Sequence, residues 1–494
     1  MPRRTGRPLA LPLGVGGQAT STAARSERGR EKPKPIPSPE YCKGCGRCID
    51  SCAHHCIEAG NTIHPGTGLV PVVVHLESCT GCGLCFEACP EPYGLRPAIF
   101  EVASIDPPRL IAPSFAPATV PEAIPGQRVE LPESRPLVVK GTYASAIGAI
   151  LAGCRHFFGY PITPSTEGAE LMAKLLPRLD GVFLQAVSEV ATINMIYGAG
   201  AAGLPSLTFT SSPGFSLMLE GLSYMIGAEL PGVVVNVMRG GPGLGNIAPE
   251  QSDIKLACRG LGHGNTRAIV LAPSTPQEML DLTMLAFDLS FRYRNPVIVL
   301  ADGYLAQMTG RVALPRALQR PGLPAWAVAG DAAHRRNLAS SIHLSEAELE
   351  AHNRRLLEKY DRIAAAEQRA DLFHCDDAEI LLLACNTPAR MVKGAVAELR
   401  GRGIKAGLFR PLTLWPFPIA LLKPLLGHVR RLVVVEASAG QLEDELRLAL
   451  SRAGDARAVS IESLQRYGGV LPSHAEVVDH VLAEPKAGRE GAPA

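Results

Sequence analysis

Short apolar runs alternate with segments of helical periodicity along most of the chain after about residue 140. Each run leads into a Gly, Pro or Ser turn and then into a helical pattern. Continuous apolar strands that alternate with helices indicate a parallel sheet with both faces covered. Ligands of such sheets bind outside the carboxyl ends of the strands, so functional residues are expected in the turns that follow the runs. The runs are HFFGYP (156–161), VFLQAV (182–187), SLTFT (206–210), GVVVNVM (232–238), AIVLAP (268–273) and PVIVLAD (296–302).

The pattern changes along the chain and predicts several modules. A charged, helix-periodic segment at 344–373 begins with Ser345 and Glu348, which are spaced for a capping box. A second α/β pattern starts near Glu379 with EILLLACN and continues with AGLFRPL and RLVVVEAS. The predicted plan is a disordered tail (1–40), a cysteine-rich α+β module (41–105), a proline-rich linker (106–135), an α/β domain (136–320), a helical linker (321–375), a smaller α/β domain (376–484) and a tail (485–494).

Composition narrows the class of protein. The 494 residues are 46% hydrophobic and 19% charged, so the chain can bury large cores. The net charge of +2 gives no reason to expect nucleic acid or an anionic membrane as a partner. Gly and Pro interrupt the uncharged stretches before they reach the ~20 apolar residues of a membrane-spanning helix. The first 40 residues lack a convincing export cleavage site, and their GVGGQA segment lacks a preceding strand, so they are interpreted as a basic tail of a cytoplasmic protein.

Cysteine spacing carries the strongest chemical signal. Two runs of the form C-x2-C-x2-C-x3-C occur at 42–52 and 79–89. This spacing is typical of a bacterial-type ferredoxin fold with two [4Fe–4S] clusters, in which each tight loop supplies three thiolates and the other run supplies the fourth. Glycines within both loops let the backbone wrap a cluster. The predicted ligand sets are Cys42, Cys45 and Cys48 with Cys89, and Cys79, Cys82 and Cys85 with Cys52.

Zinc and disulfides are the alternatives for these cysteines. Pairs of the C-x2-C type can bind zinc, but a doubled run of four cysteines is poor zinc spacing. The sequence departs from the usual cluster pattern at Ala53, where proline is usual, and Cys56 is near enough in sequence to replace Cys52 as a ligand. The remaining cysteines are scattered singly, which fits free thiols in a reducing compartment: Cys154, Cys258, Cys375 and Cys385.

Glu189 is the single formally charged residue between Gly181 and Leu219. It follows a predicted strand and precedes a helix rich in small residues. A lone carboxylate in such surroundings should be desolvated, which favours its protonated form and lets it share a proton with a ligand nitrogen. The alternative is an acid that merely stabilises the first turn of the helix through the macrodipole.

Thr163 and Arg239 are further candidates in the predicted turns. Thr163 lies between two prolines in YPITPST, so its hydroxyl is rigidly presented, although an ordinary N-cap for a helix at 165–176 is the simpler interpretation. Arg239 precedes GGPGLG (240–245), where glycines allow close backbone approach and a guanidinium can hold a carboxylate through two hydrogen bonds. The alternative is a structural loop in which Arg239 pairs with Glu250 or Asp253.

Several long motifs, in order, resemble the alpha subunit of 2-oxoacid:ferredoxin oxidoreductases. CRHFFGYPITP and RGGPGLGN look most like the branched-chain (3-methyl-2-oxobutanoate, or 2-ketoisovalerate) type, with the 2-oxoglutarate type a close relative. The cysteine module resembles the small ferredoxin-like delta subunit of that family, here fused in front of alpha. The motifs are GYPITPST, QAVSEVATINMIYGAGAAG, TFTSSPGFSLMLEGLSYMIGAELP, NVMRGGPGLGNIAPEQSD and RPLTLWPFP.

The resemblance implies a fold, a cofactor and roles for the three candidates. It implies a pyrimidine-type thiamine-diphosphate-binding parallel-sheet domain, followed by a smaller domain like the C-terminal domain of transketolase. Glu189 matches the glutamate that contacts the aminopyrimidine N1′, and Thr163 matches the threonine that helps to position the substrate. Arg239 matches a position near the substrate carboxylate. The implied reaction is the CoA-dependent oxidative decarboxylation of a 2-oxoacid, with electrons leaving through [4Fe–4S] clusters to ferredoxin.

One expected motif is missing from the chain. The usual magnesium–diphosphate motif, GDG with a downstream Asn, is absent from the sequence, and Asp302–Gly303 is only a fragment of it. A separate beta subunit is therefore expected to carry the diphosphate-binding half with its Mg²⁺, and a gamma subunit remains an open addition. The chain alone is expected to be inactive. The competing hypotheses are a pyruvate or 2-oxoglutarate enzyme and, from another class, an electron-transfer adaptor without catalysis.

Overall fold

The computed structural model describes residues 32, 34–65, 67–90, 94–97, 109–110, 126–455 and 459–483. They fall into two compact units, within Met1–Ile105 and within Asp106–Ala494, which are called the cysteine unit and the α/β unit below. Most of the predicted N-terminal tail, the predicted C-terminal tail and most of the predicted linker at 106–135 lie outside the described residues. The end of the predicted N-terminal tail is not disordered, because Pro35–Pro37 forms a strand that pairs with Leu95–Pro97. Across the described ranges, no helix is both long enough and apolar enough to cross a bilayer.

The cysteine unit is built from two short helices and two antiparallel strand pairs. Strand β1 pairs with β4, and β2 pairs with β3. Its small core consists mainly of cysteine side chains together with Ile57, Val72 and Leu95. A core this small gives little hydrophobic stabilisation, so bound metal is expected to contribute much of the folding free energy. The elements are β1 (Pro35–Pro37), α1 (Arg47–Asp50), β2 (Ile57–Ala59), β3 (Val72–Val74), α2 (Leu84–Ala88) and β4 (Leu95–Pro97).

The α/β unit contains two larger sheets and several two-stranded pairs. Its strands are β5 (Arg109–Leu110), β6 (Gly126–Glu130), β7 (Leu137–Lys140), β8 (His156–Gly159), β9 (Val182–Gln185), β10 (Ser206–Ser211), β11 (Gly232–Met238), β12 (Ile269–Leu271), β13 (Pro296–Asp302), β14 (Thr309–Val312), β15 (Ala317–Pro321), β16 (Asn337–Leu338), β17 (Ala370–Phe373), β18 (Ile380–Leu383), β19 (Ala406–Pro411), β20 (Thr413–Trp415), β21 (Arg431–Glu436) and β22 (Ser460–Gln465). Its α-helices are α3 (Gly141–Leu151), α4 (Thr166–Leu175), α5 (Glu189–Ala201), α6 (Ser212–Gly227), α7 (Ile254–Arg259), α8 (Pro276–Tyr293), α9 (Gly303–Gln307), α10 (Glu346–Ala366), α11 (Asn386–Gly401), α12 (Ile419–Leu422), α13 (Gln441–Arg452) and α14 (His474–Leu482). The 3-10 helices Leu176–Leu179 and Lys423–Gly427 follow α4 and α12.

The first sheet has the strand order β20-β12-β13-β11-β10-β8-β9. All of its strands run parallel except β20, which pairs antiparallel with β12. Every residue of β10, β11 and β13 is buried, as expected for strands with helices on both faces. The predicted apolar runs therefore form the parallel strands. The antiparallel edge strand β20 comes from the RPLTLWPFP motif in the C-terminal part of the chain.

The second sheet has the order β17-β19-β18-β21-β22, with β17 antiparallel at one edge. Helices α11 and α14 pack against each other beside it. The predicted helical segment forms α10, which Ser345 begins by accepting a hydrogen bond from the N–H of Glu348 at 3.4 Å. This helix is not an isolated connector, because its buried Lys359 donates to Glu229 Oε1 at 3.1 Å.

Buried polar groups connect the two sheets. At the end of β13, Asp302 accepts hydrogen bonds from the N–H of Thr387 and from its hydroxyl, both at 2.8 Å. Asn386 donates to the carbonyls of Pro273 and Leu300. Burial raises the pKa of Asp302, although the hydrogen bonds that it accepts oppose this rise. Asp302, which in the sequence is part of a fragment of a magnesium motif, thus forms buried hydrogen bonds between the two sheets.

Candidate functional site

The three candidate residues follow neighbouring strands of the first sheet. Thr163 follows β8, Glu189 follows β9, and Arg239 follows β11, with β10 between β8 and β11. Because parallel strands end at the same edge, all three residues belong to one edge of the sheet, called the carboxyl edge below. The structure therefore brings together residues that are up to 76 positions apart in sequence.

Glu189 is the first residue of α5, and its side chain is buried, with an exposed fraction of 5% for the residue. Its helix begins at Ser188, whose hydroxyl accepts a hydrogen bond from the N–H of Ala191. A Cβ atom added to Gly214 would lie 2.5 Å from Glu189 Oε1 and 2.5 Å from Thr210 Oγ1. Such distances are too short for any side chain, so the absence of a Cβ at Gly214 makes room for this carboxylate.

Thr163 is exposed, and its main chain contacts Arg239. Its carbonyl oxygen accepts a hydrogen bond from Arg239 Nη1 at 2.8 Å. The N-cap interpretation is wrong for Thr163, because Ser165 occupies the N-cap of α4. The threonine hydroxyl therefore belongs to the turn at the carboxyl edge.

Arg239 is buried and is held by neutral groups. Nη1 donates to the carbonyl of Thr163, and Nη2 donates to the carbonyl of Leu244 at 3.2 Å. Its buried Nε has no hydrogen-bond partner among the described residues. Glu250 and Asp253, the carboxylates considered as its partners, are occupied elsewhere. A guanidinium positioned by carbonyls alone keeps its charge available for an anionic ligand.

The turn between β10 and α6 joins the Arg239 side of the site to the Glu189 side. Ser212 accepts a hydrogen bond from the N–H of Arg239 at 3.1 Å and donates to Asp253 Oδ2 at 2.6 Å. Burial raises the pKa of Asp253, while hydrogen bonds from Ser212 and Asn236 favour its charged form. Two residues after Ser212, Gly214 borders Glu189. Neither Ser212 nor Gly214 is predicted as a site residue from the sequence, although the TFTSSPG segment at the end of a buried strand is a usable signal.

The glycine-rich loop after Arg239 is fastened to the C-terminal part of the chain. Glu250 accepts hydrogen bonds from the N–H groups of Gly241 at 2.8 Å and Gly468 at 3.1 Å. Asn246 donates to the carbonyl of Gly468 at 3.0 Å. Gly245 has a φ of 52°, and a Cβ there would lie 1.7 Å from the carbonyl oxygen of Gly240. The loop can therefore take this shape only with glycine at 245.

Apolar side chains are exposed around the carboxyl edge. They follow the ends of β8, β9, β10, β11 and β13, so they surround the candidate residues in the topology. Exposed apolar side chains concentrated in one region are typical of a surface that another protein covers. These side chains, called the apolar rim below, are Tyr160 (40% exposed), Val187 (87%), Val190 (43%), Leu217 (52%), Leu244 (81%), Ile247 (61%) and Tyr304 (50%).

In the cysteine unit, the sulfur-bearing side chains surround two cavities. The first cavity is lined by Cys42, Cys45, Cys48 and Cys89, together with Gly44, Gly46 and Val72. The second is lined by Cys52, Cys56, Cys79, Cys82 and Cys85, together with Gly81 and Gly83. Each cavity thus combines three cysteines of one run with one cysteine of the other run, and the second cavity also contains Cys56.

The loops around the cavities have the backbone conformation that glycine allows. Gly46 and Gly83 have φ angles of 77° and 88° and immediately precede α1 and α2. The N–H of Val72 donates to Cys42 Sγ at 3.4 Å, an interaction of the kind that stabilises a metal-bound thiolate. No group of three or more His, Cys, Asp or Glu side chains in the described ranges has the geometry to hold a single metal ion.

Comparison with known protein families covers both units. Residues 147–371 match the family "Pyruvate flavodoxin/ferredoxin oxidoreductase, thiamine diP-bdg", and residues 378–477 match "Pyruvate:ferredoxin oxidoreductase core domain II". Residues 41–92 match a 4Fe-4S dicluster domain. The ketoisovalerate oxidoreductase subunit VorB of Methanothermobacter thermautotrophicus is 45% identical over 345 residues, which are 70% of this chain and 96% of the relative. The chain belongs to the 2-oxoacid:ferredoxin oxidoreductase family.

Other members of the 2-oxoacid:ferredoxin oxidoreductase family agree with this result. The 2-oxoglutarate synthase subunit KorA of Methanocaldococcus jannaschii is 34% identical over 368 residues, which are 70% of this chain and 98% of the relative. A solved structure, the 2-oxoglutarate:ferredoxin oxidoreductase from Magnetococcus marinus with 2-oxoglutarate, coenzyme A and succinyl-CoA bound, has a TM-score of 0.64 and 28% identity. The match covers 70% of this chain and 65% of that one.

These comparisons confirm the predicted family and the α/β fold with an N-terminal cluster domain. They also confirm the two cofactor classes, iron–sulfur clusters and thiamine diphosphate. The relatives are named as subunits, which implies that this oxidoreductase chain works with partner subunits. The individual site residues and the module boundaries are not tested by the comparisons and stay predictions.

Proposed function

We propose that the chain is the fused alpha and delta subunit of an enzyme that converts 3-methyl-2-oxobutanoate and coenzyme A to the acyl-CoA and CO₂. The observation that carries this proposal is the buried carboxylate of Glu189 beside Gly214, at the carboxyl edge of a thiamine-type domain. The branched-chain substrate is favoured by the 45% identity to a ketoisovalerate oxidoreductase subunit, against 34% for the 2-oxoglutarate relatives. Free single cysteines favour the cytoplasm as the compartment.

The residues at the carboxyl edge fit the aminopyrimidine end of thiamine diphosphate. When bound, thiamine diphosphate supplies the carbon nucleophile needed to decarboxylate a 2-oxoacid. Glu189 would hydrogen-bond to a ring nitrogen of the aminopyrimidine, and its buried carboxylate suits this role. The missing Cβ at Gly214 makes room for the Glu189 carboxylate against the start of α6. The buried Thr210 hydroxyl, which lacks a hydrogen-bond partner among the described residues, is a second polar group at this place.

Arg239 and Thr163 would orient the substrate. The Arg239 guanidinium is positioned by two carbonyl groups and is free of carboxylate partners in the described part of the chain, so it suits the carboxylate of a 2-oxoacid. The exposed hydroxyl of Thr163 lies in the turn that Arg239 holds, where it can donate to the 2-oxo group. Orientation by such groups lowers the entropic part of the barrier.

Partner proteins would complete the enzyme. We assign the diphosphate half of the cofactor, with its Mg²⁺, to a beta subunit that docks on the apolar rim, and leave a gamma subunit open. Two [4Fe–4S] clusters would occupy the cysteine cavities, the first held by Cys42, Cys45, Cys48 and Cys89 and the second by Cys52, Cys79, Cys82 and Cys85. Electrons would leave one at a time through these clusters to ferredoxin.

Replacement of Glu189 tests this proposal in the assembled complex. Glu189→Gln keeps the size of the side chain but cannot supply the proton, so acyl-CoA formation should fall by about 10²–10⁴-fold. The matched control is Glu170→Gln, which changes an exposed glutamate of α4 and should leave turnover unchanged. Electron paramagnetic resonance of the clusters should be the same in both variants. Unaltered turnover in Glu189→Gln would instead support the electron-transfer adaptor.

A panel of 2-oxoacids tests the substrate. We expect the co-purified complex to reduce viologen fastest with 3-methyl-2-oxobutanoate under anaerobic conditions. Faster reduction with 2-oxoglutarate would contradict the branched-chain assignment while leaving the reaction class intact. Discrimination against a smaller 2-oxoacid by a few methylene groups is worth only about 1–3 kcal/mol, so the comparison should use kcat/KM.

A further inference from the structure

The second cysteine cavity contains one more sulfur than a cubane cluster requires. Its lining includes Cys52 and Cys56 in addition to Cys79, Cys82 and Cys85. Cys52 Sγ and Cys56 Sγ are 3.2 Å apart, and both residues are buried, with 6% and 3% exposed. Both thiols are free, because the separation is longer than the ~2.05 Å of a disulfide bond.

The two halves of the cysteine unit differ at this point. The first cavity is lined by four cysteines, matching the number of irons in a cubane. Cys56 stands four residues after Cys52, whereas the residue four positions after Cys89 is Tyr93. The fifth cysteine is therefore particular to the second cavity and does not come from the repeated motif.

Two sulfur atoms in contact cannot serve two different irons of one cubane, because the thiolates on different irons point away from one another. Cys52 and Cys56 therefore approach the same corner of the cavity. The other corners are left to the three cysteines of the second run, Cys79, Cys82 and Cys85.

We propose that Cys56 is a reserve ligand for the iron that Cys52 binds in the second cluster. In the native state Cys52 is the thiolate ligand and Cys56 remains a thiol beside it. When the iron–Cys52 bond breaks, Cys56 loses its proton to Cys52 or to water and forms the new iron–sulfur bond. The exchange changes neither the oxidation state of the cluster nor the number of its thiolate ligands. This inference rests on the proposed assignment of [4Fe–4S] clusters to the two cavities.

Single and double variants of the full chain, purified anaerobically with its partners, test the proposal. Iron and sulfide analysis should give about eight irons per chain for the wild type, for Cys52→Ala and for Cys56→Ala. The double variant Cys52→Ala/Cys56→Ala should lose iron from the second cluster. The matched control is Cys89→Ala, which should lose iron from the first cluster because that cavity holds no fifth cysteine.

Spectroscopy identifies the exchange without relying on turnover. The electron paramagnetic resonance spectrum and the reduction potential of the second cluster should change in Cys52→Ala, because Cys56 then replaces Cys52 as a ligand of one iron. Both properties should stay as in the wild type in Cys56→Ala. Iron loss in Cys52→Ala equal to that of the double variant, or failure of Cys52→Ala alone to accumulate as holoprotein, would overturn the proposal. Iron loss in Cys56→Ala would make Cys56 the native ligand and overturn the reserve role. Absence of clusters from the wild type would instead contradict the assignment of [4Fe–4S] clusters to the two cavities, on which this inference rests.

Discussion

Within the cysteine unit, two cysteine runs of the same chain supply the sulfur atoms that line two cavities. At the carboxyl edge of the α/β unit, by contrast, polar residues lie within a rim of exposed apolar side chains, among them Val187 at 87% exposed. The motif that would bind magnesium and diphosphate is missing from the sequence. On the proposed function, the first arrangement can assemble its cofactors from one polypeptide, whereas the second needs a beta subunit to supply the other half of the site. The two regions of the chain thus differ, on this proposal, in whether a partner protein is needed to complete the cofactor site.

The physical reason lies in the chemistry of the ligands. Thiolates bind iron directly, so a short chain segment can surround a cluster and gain folding free energy from it. A thiamine site needs a dry cavity around the cofactor. We propose that a beta subunit closes the carboxyl edge and so excludes water from it. Experiments that separate the two units should therefore show opposite dependence on partner subunits.

The lone chain gives the largest expected contrast. Purified without partners, it should hold its clusters but should form no acyl-CoA when thiamine diphosphate, coenzyme A and 3-methyl-2-oxobutanoate are added. Iron analysis and electron paramagnetic resonance follow the clusters, and viologen reduction follows turnover. Addition of the partner subunits should restore turnover. Activity of the lone chain above background would show that the carboxyl edge is complete on its own.

Gly214→Ala should produce the next largest effect. The added Cβ would lie 2.5 Å from Glu189 Oε1 and from Thr210 Oγ1, so one of these side chains must move. We expect the affinity of the assembled complex for thiamine diphosphate to fall by about tenfold or more, which is about 1.4 kcal/mol. Calorimetric titration measures the affinity, and the cluster spectra should not change.

Gly198→Ala is the matched control for Gly214→Ala. It lies in α5, and apart from its chain neighbours and the backbone of its own helix no described atom lies within 4 Å of the added Cβ. Because alanine favours helix over glycine, this variant should be as stable as the wild type or slightly more stable. Equal thiamine affinities in the two variants would contradict the role given to the space at Gly214.

The sheet and the cysteine motif could be predicted from sequence because their signals are local. Runs such as GVVVNVM are continuously apolar, and each predicted run of the first sheet became a strand. Cysteines at this fixed spacing likewise indicate iron–sulfur cluster binding without any knowledge of contacts between distant segments. Glu189 could be selected because it is the one charge in a long uncharged stretch.

Other parts of the site could not be predicted, since they depend on contacts between distant segments. Strand β20 joins the first sheet although it lies in sequence between β19 and β21, two strands of the second sheet. Glu250 was considered as a partner of Arg239, yet it binds the N–H groups of Gly241 and Gly468. Whether an acid pairs with an arginine or with backbone N–H groups depends on where loops meet, and a sequence of one chain contains no direct signal for this.

Val187→Asp should weaken the assembly of the partner subunits by a moderate amount. Val187 belongs to the apolar rim and is 87% exposed, so a charge there should be desolvated when a partner covers it. We expect the dissociation constant of the complex to rise by about tenfold or more. Ile342→Asp is the control, because Ile342 is 71% exposed and lies near the opposite end of α6. A Cβ built on Gly227, the last residue of α6, would lie 3.0 Å from the Cβ of the neighbouring Ser341. Equal affinities for the two variants would place the docking surface elsewhere.

The smallest expected effect concerns Asp253, which supports Ser212 beneath the carboxyl edge. Burial raises its pKa above the ordinary value near 3.8, so the folded chain holds this proton to a higher pH than the unfolded chain does. The resulting stability is fully present below the ordinary pKa and is lost as the pH rises through the raised one. Asp253→Asn removes this dependence, so its Tm relative to the wild type should increase by a few degrees between acidic and neutral pH. Thermal unfolding of both proteins across this range measures the difference. A constant or falling difference would mean that the hydrogen bonds from Ser212 and Asn236 outweigh the desolvation of the carboxylate.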